Sequence, residues 1–271
     1  MKSVITLALI AMSVIACNRQ APPAVEGTTD DDAETPAIAS PETSIYADAV
    51  ANTSRLEGDY ARDASRKPVE VLEFIGIAPG QTVLDLFSGG GYYSELLSRV
   101  VGSDGQVYAH SNEAYLSFAG DEFIDRHANG RLPNVKVLMA ENNELELDEG
   151  SLDAIMMVLA YHDVYYAEPQ NGWPKIDVDH LLAELYQGLK PDGIVGIVDH
   201  YAEAGAPRET GGTLHRIDRN IVIADFESAG FELAAKSDVL RNMNDDYSKN
   251  VFEPDLRGKT DRFVLKFRKP K

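Results

Sequence analysis

Cysteine is all but missing from this chain, with Cys17 the single one in 271 residues. One thiol forms no disulfide within its own chain, so stability has to come from a buried core, for which 44% hydrophobic content is ample. Basic residues are scarce too: 25 Lys and Arg stand against 44 Asp and Glu, a formal charge of −19. That balance excludes nucleic acid as a natural partner, because phosphate binding needs clustered cations to release counterions. Also lacking is an apolar run long enough to cross a bilayer, which takes about 20 residues; the run from Val4 to Ile15 is too short. A small or cationic ligand is the partner such a chain is expected to take.

What is present begins with that short run. Met1-Lys2-Ser3, the apolar stretch and then Ala16-Cys17 make the pattern of a secretory signal. The segment "VIAC" (Val14 to Cys17) resembles the lipobox of bacterial lipoproteins. The resemblance implies cleavage before Cys17 and acylation of its sulfur, hence an exported chain held to a membrane by lipid and facing the periplasm. Asn18 after the cysteine, rather than Asp, points to the outer membrane. An ordinary signal peptide with an incidental cysteine is the alternative. Residues 17–44 are Pro, Ala, Thr, Glu and Asp with little apolar content and are expected to be a flexible tether. Residues 1–16 are then the signal peptide and 45–271 the folded domain.

Within 45–271 apolar period-two runs alternate with helical spacing, the signature of a parallel sheet covered on both faces. The spacing predicts strands at 82–86, 106–110, 135–139, 154–159, 194–199, 231–237 and 262–267, and helices at 45–57, 67–75, 92–100, 113–128, 178–189 and 219–229. "LKPDG" and "SAGF" put Gly or Pro at helix ends. The fold class expected is α/β: a Rossmann-like, doubly wound seven-stranded sheet, mostly parallel with the last strand antiparallel.

In such a sheet ligands bind beyond the carboxyl ends of the strands, where the strand order reverses. The first strand ends in "VLDLFSGGGYYSE" (Val83 to Glu95), where glycines let the backbone approach a ligand closely. "GGGYYS" approximates a dinucleotide fingerprint only weakly. Asp85, ahead of the glycines, would repel a pyrophosphate and would complement a ligand bearing a sulfonium and an α-amino group. A turn that merely packs a helix on the sheet is the plainer reading.

At these residues the chain resembles the class I S-adenosylmethionine-dependent methyltransferases. Asp85, Gly89 and Gly91 match their first motif, while Phe87 occupies the place of the first glycine. "PGQTVLDL", "LDEGSLDAIMMVLAYHD", "LLAELYQGLKPDGIVGIVDH" and the closing "DRFVLKFRKP" extend the resemblance over most of the domain. "RKPVEVLEFIGI", "HRID" and "RGKTDRFVLKFRKP" resemble, more narrowly, a group of exported predicted methyltransferases. The resemblance implies S-adenosylmethionine as cofactor, held by Asp85, Phe87, Gly89, Gly90 and Gly91. In the family an acid at the end of the second strand holds the ribose; here Ser111 and Asn112 stand in that place, after His110. Glu141 and Asn142 stand where the family contacts the adenine.

Beyond the fourth and fifth strands come "AYHDVYY" and "VDHY", so His162, Asp163, Asp199 and His200 are expected to converge on one cleft, with His215 reaching it if its loop folds over. A histidine oriented by a carboxylate suits a general base, and His162, Asp163 and His200 are the candidates for catalysis. No metal is expected, since a close-spaced ligand motif such as HExxH is missing, although the same side chains would suit a divalent ion orienting a substrate hydroxyl. His110 and His127 read as helix-edge or loop residues and His180 as a surface residue at a helix start. Arg62, Arg66 and Lys67 either fold over the cofactor or solvate a helix. The reading is an exported, lipid-anchored methyltransferase acting on a small molecule; the alternative is a non-catalytic ligand-binding protein on a methyltransferase scaffold.

Overall fold

The central strand β1 (Thr82–Leu86) alternates its side chains between two apolar layers, Leu84 and Leu86 on one side and Val83 on the other. Burial on both faces is what its near-continuous apolar sequence requires. The structure is a computed structural model describing residues 44–271; the expected signal peptide and all but the last residue of the tether lie outside it. Around β1 the sheet has the order β3-β2-β1-β4-β5-β7-β6, with β2 Gln106–Ser111, β3 Val135–Met139, β4 Leu152–Val158, β5 Leu189–His200, β6 Glu232–Ser237 and β7 Arg262–Arg268. Strands β1 to β5 run parallel to one another, and β7 lies between β5 and β6, antiparallel to both. The seven-stranded, mostly parallel sheet read from the sequence is therefore the one observed.

The strand order reverses between β1 and β4, whose registers pair Asp85 with Met156 and Leu86 with Met157. A crevice forms there because the connections leaving the two strands diverge to opposite sides. Helices α3 (Pro68–Ile75) and α4 (Tyr92–Val101) cover one face, with Val71, Leu72, Ile75, Leu96 and Leu97 packed against Val83, Val107 and Met156. Helices α7 (Val178–Gly188) and α9 (Arg219–Ser228) cover the other through Leu181, Leu185, Val222 and Phe226. Among the described residues no helix is long and apolar enough to cross a membrane.

Three expected elements differ from the structure by more than two residues, each for a local reason. The helix expected over 45–57 stops as α1 at Ile45–Ala51, because the Asn52 side chain accepts hydrogen bonds from the backbone and hydroxyl of Ser54 and turns the chain. A separate helix α2 (Glu57–Arg66) follows and ends where Lys67, ahead of Pro68, takes a left-handed φ of 42°. The helix expected over 113–128 is two, α5 (Glu113–Ala119) and α6 (Asp121–His127), broken at Gly120 with φ 58° and ψ −142°. Strand β5 begins at Leu189 rather than Ile194, since Leu189 pairs with Leu152 before a register shift. The short α8 (Thr210–Leu214) completes the helices used below.

Candidate active site

Strand β1 delivers Asp85 to the crevice with its carboxyl group buried and its Oδ2 accepting from the Ser94 hydroxyl at 2.5 Å. Burial pushes the Asp85 carboxyl up to about 6, against the Ser94 hydrogen bonds and the nearby Arg126 and Arg66 that draw it down. The turn that follows needs left-handed backbone at Phe87 (φ 55°), Gly89 (φ 55°) and Gly91 (φ 75°). A Cβ on Gly91 would lie 2.7 Å from Cδ of Arg126, whereas one on Gly89 would meet nothing within 4 Å, so the backbone at Gly89 is open to a ligand.

Phe87 holds a conformation that costs a non-glycine residue roughly 1–2 kcal/mol. Its ring offsets that cost by stacking on Tyr115 at 5.1 Å and meeting His110 edge-on at 5.3 Å. His110 is a strand residue, contrary to the helix-edge or loop reading. Its Nδ1 accepts the Phe87 N–H at 3.3 Å and its Nε2 faces the Ala140 carbonyl at 3.0 Å, which ties the ends of β1, β2 and the chain leaving β3 together.

Burial lowers the His110 imidazole to about 4, from an ordinary value of 6.5. Between those values the unfolded chain binds the proton and the folded chain does not, so the contribution of His110 is complete above pH 6.5 and is lost on descent to about 4. The loss is on the order of 3 kcal/mol. Asp85, whose folded value is raised, works in the opposite sense over much of that range. We therefore expect the effect in a difference: relative to His110→Gln, the natural chain should lose about 3 kcal/mol between pH 7 and pH 4. Urea midpoints of both proteins at the two pH values check it, and parallel changes would refute it.

Over the carboxyl ends of β1, β4 and β5 lies a cavity of about 950 Å³, enough for a nucleoside-sized ligand together with a small second molecule. Asp85, Phe87, Gly89 and Gly90 border it on one side and His162, Asp163, His200 and His215 on the other. Arg62 and Arg66 of α2 also border it, the Arg66 guanidinium lying 4.5 Å from the centre of the Tyr92 ring, so α2 roofs the cavity. Lys67 turns away and donates to the Val239 carbonyl at 2.8 Å.

Ser111, Asn112, Glu141 and Asn142 do not border the cavity. Asn112 caps α5 by accepting from the Tyr115 N–H at 3.0 Å, and its amide reaches Glu141 at 3.4 Å and Asn142 at 3.3 Å. The four residues make a small polar cluster of their own beside the strand ends. Sequence reasoning also passed over Tyr115, Thr260 and Arg262, which do border it. The polar run "RGKTDRF" ahead of β7 was the available signal for the last two.

His162 is the centre of the second side. The carboxylate of Asp199, wholly buried at the end of β5, receives the ring Nδ1–H at 2.8 Å and the backbone N–H of the same residue at 2.8 Å. The ring Nε2 lies 3.2 Å from Oδ1 of Asp163. Burial would lower the basicity of this ring, but the two carboxylates, Asp199 above all, outweigh burial and raise it to about 10. Both carboxylates thus favour the protonated ring, a form with no free lone pair, and work against the general-base role expected of His162. The imidazolium in turn overcomes the burial that would raise Asp163 and holds its carboxyl well below the usual range. Asp163 accepts from the Tyr115 hydroxyl at 3.1 Å and lies 3.3 Å from Nδ1 of His215.

His200 is buried 5.8 Å from the His162 ring, its Nδ1 2.7 Å from the Thr260 hydroxyl, and burial together with the His162 charge pushes it well below its ordinary value. His127 ends α6 against the Phe123 carbonyl, and His180 is exposed at the start of α7, both as expected. Tyr161 and Tyr165 are structural, since both hydroxyls donate to Asp225. Tyr92, Tyr93, Tyr166 and Trp173 supply the aromatic wall.

Comparison with known proteins agrees with this geometry. Residues 84–197 match the methyltransferase domain family. The chain is 31% identical over 125 residues to the ubiquinone/menaquinone biosynthesis C-methyltransferase of Idiomarina loihiensis, a match covering 46% of this chain and 44% of that one. The chain thus spans less than half the length of the curated relatives it matches. Among solved structures, a SAM-dependent methyltransferase from Aquifex aeolicus superposes with a TM-score of 0.53 at 26% identity, covering 78% of this chain and 95% of the other. The cyclase SpnF superposes with a TM-score of 0.51 at 19% identity over 76% of this chain and 81% of its own, which shows the fold alone. The donor set fits the cofactor of that domain: a buried acid for its cationic centre, open glycine backbone and an aromatic wall. Residues 84–197 thus match a methyltransferase domain, on a fold shared with a solved SAM-dependent methyltransferase, and S-adenosylmethionine is the cofactor that this similarity implies.

Proposed function

We propose that this protein is an exported, lipid-anchored methyltransferase that moves the methyl group of S-adenosylmethionine to a nucleophilic atom of a small molecule. One observation carries the reading: a single cavity is bounded by the Asp85 and glycine turn on one side and by the His162, Asp163, His200 and His215 group on the other. Asp85, Phe87, Gly89 and Gly90 would hold the methionine part, and the aromatic wall would seat a planar acceptor. The C-methyltransferase relatives, whose names give quinone biosynthesis, agree with a planar acceptor. S-adenosylmethionine supplies an electrophilic methyl group; alignment of the acceptor along the carbon–sulfur axis supplies much of the rate. The signal sequence and Cys17 support export and anchoring, with the 45–271 domain facing the periplasm.

Calorimetric titration of the purified full chain with S-adenosylmethionine and its demethylated product, with NAD as control, tests the cofactor site. Asp85→Asn should weaken binding of the first two about 10- to 100-fold. The affinity of the natural chain should also fall as the pH drops below about 6, because Asp85 must lose its proton to pair with a cation. Saturable binding that Asp85→Asn leaves unchanged would overturn the assignment.

The second reading, a binding protein that performs no methyl transfer, draws on the end of β2, where Ser111 and Asn112 stand in place of an acid that would hold a ribose and lie off the cavity, Asn112 capping a helix instead. SpnF, named as a cyclase, supports the point that this fold does not fix the reaction. A folded full chain that binds neither form of the cofactor would favour it.

A further inference from the structure

We propose that His162, Asp163 and His215 form a binding site for a divalent first-row transition-metal ion, placed on the acceptor side of the cavity. The ligand atoms of the three residues all lie within 4.8 Å of one another, with 3.2 Å from His162 Nε2 and 3.3 Å from His215 Nδ1 to the same Asp163 oxygen. Donor atoms held ~2.1 Å from one ion sit ~3.0–3.4 Å apart for angles between square and tetrahedral. Both separations to the Asp163 oxygen fall in that interval.

The outer shell is built as metal sites require. Asp199 takes the Nδ1 proton of His162 at 2.8 Å and also fixes the backbone of that residue at 2.8 Å, so Nε2 is the nitrogen aimed at Asp163. With Nδ1 protonated, Nε2 and the Asp163 oxygen are two acceptors facing one another, an arrangement that demands a cation between them, a proton or a metal ion. The second oxygen of Asp163 is fixed by the Tyr115 hydroxyl at 3.1 Å. His215 holds a left-handed φ of 52° at the end of α8, and its ring packs 4.8 Å from Phe252 and 5.6 Å from Tyr166. Strain of this sort in a non-glycine residue persists where its surroundings hold it, and here they turn a histidine toward the cavity.

Two imidazoles and one carboxylate favour zinc, iron, cobalt or nickel over magnesium or calcium. Three protein ligands leave coordination positions open to the cavity that all three border, the arrangement of catalytic rather than structural sites. An acceptor hydroxyl or carbonyl bound there would be oriented and polarised. A ligand 52 residues from its partner leaves no compact motif, which is why sequence spacing argued against a metal. The inference goes beyond the methyl-transfer reading, and ion binding is read with no cofactor present.

The test strips the full chain with a chelator and titrates it with Co²⁺, read by its visible absorption, and with Zn²⁺ by calorimetry. One ion per chain is expected, with affinity lowered at least about 100-fold in His215→Ala and in Asp163→Asn, and about 10-fold in Asp199→Asn. His180→Ala, on the surface, should change nothing. Far-UV circular dichroism and S-adenosylmethionine binding report whether each variant is folded, and His215→Gln stands in should His215→Ala fail to fold. No stoichiometric Co²⁺ or Zn²⁺ binding, or binding that His215→Ala or His215→Gln leaves intact, would overturn the site, as would a preference for Mg²⁺.

Discussion

Replacing Arg126 by methionine is expected to destabilise the folded chain by about 3–5 kcal/mol, the range seen when one member of a buried ionic group is removed. The guanidinium is inaccessible to solvent and reaches both oxygens of Asp59 at 2.8 and 2.9 Å, Glu95 at 2.7 Å, Glu122 at 2.9 Å and the Gly90 carbonyl. Asp59 and Glu95 are themselves fully buried. Glu95 keeps Arg99 and Arg131, but Asp59 keeps only the partly exposed Arg62 and the Arg55 Nε at 4.0 Å. Methionine fills the volume yet leaves the Asp59 charge in a medium that solvates it poorly. Arg126 also links α2 to α6 and holds the glycine turn by the carbonyl of Gly90, so the same change should weaken cofactor binding. Urea denaturation of the full chain measures the first effect. Adding Asp59→Leu should recover part of the loss, because removing both charges removes the desolvation penalty with them. A loss under about 1 kcal/mol in the single variant would show the network to be dispensable.

The contrast between Asp85 and Asn112 shows what a sequence can reveal about such a site. Asp85 and its glycines were legible because a strand end, an acid and a tight turn are local features, and the fold rule places them at the crevice. The sheet was legible for the same reason, since period-two runs buried on both faces leave few alternatives. Ser111 and Asn112 were located correctly at the end of β2, but which way a side chain points there depends on what the chain does next. Asn112 starts a helix, and an asparagine in that position spends its oxygen on the cap. A different limit applied to His162. Its neighbours Asp163 and Asp199 were both foreseen at the crevice, but the charge it carries depends on distances to each that no spacing encodes. His215 was foreseen at the cavity on condition that its loop folds over, as it does, whereas Thr260 arrives from a loop far along the chain and its place there is a property of the tertiary fold.

Asp199→Asn should change the chemistry of the site while leaving the cofactor side intact. The Asp199 carboxylate accepts three N–H groups, from the His162 ring, the His162 backbone and, at 2.7 Å, the His200 backbone. An amide offers one accepting oxygen and sets a donor against the remaining N–H, so at least one buried donor loses its partner at a cost of about 1–3 kcal/mol. The largest influence raising His162 above its ordinary value disappears as well, and burial, which lowers it, regains weight. In the metal-free natural chain His162 should stay protonated until the pH nears 10. In the variant it should titrate lower by roughly 1–3 units. The stabilisation this cation gives is complete below pH 6.5 and fades as the pH climbs through the folded value, so in the variant it should fade earlier. Nuclear magnetic resonance titration of the ring in chelator-treated full chain reads the shift without any acceptor, and calorimetry with S-adenosylmethionine shows that the fold and the Asp85 side survive. If the ring of the variant titrates with that of the natural chain, Asp199 is a structural anchor and Asp163 alone sets the charge of His162. If it moves as expected, Asp199 is the positioning residue that aims Nε2 of His162 at the acceptor side of the cavity.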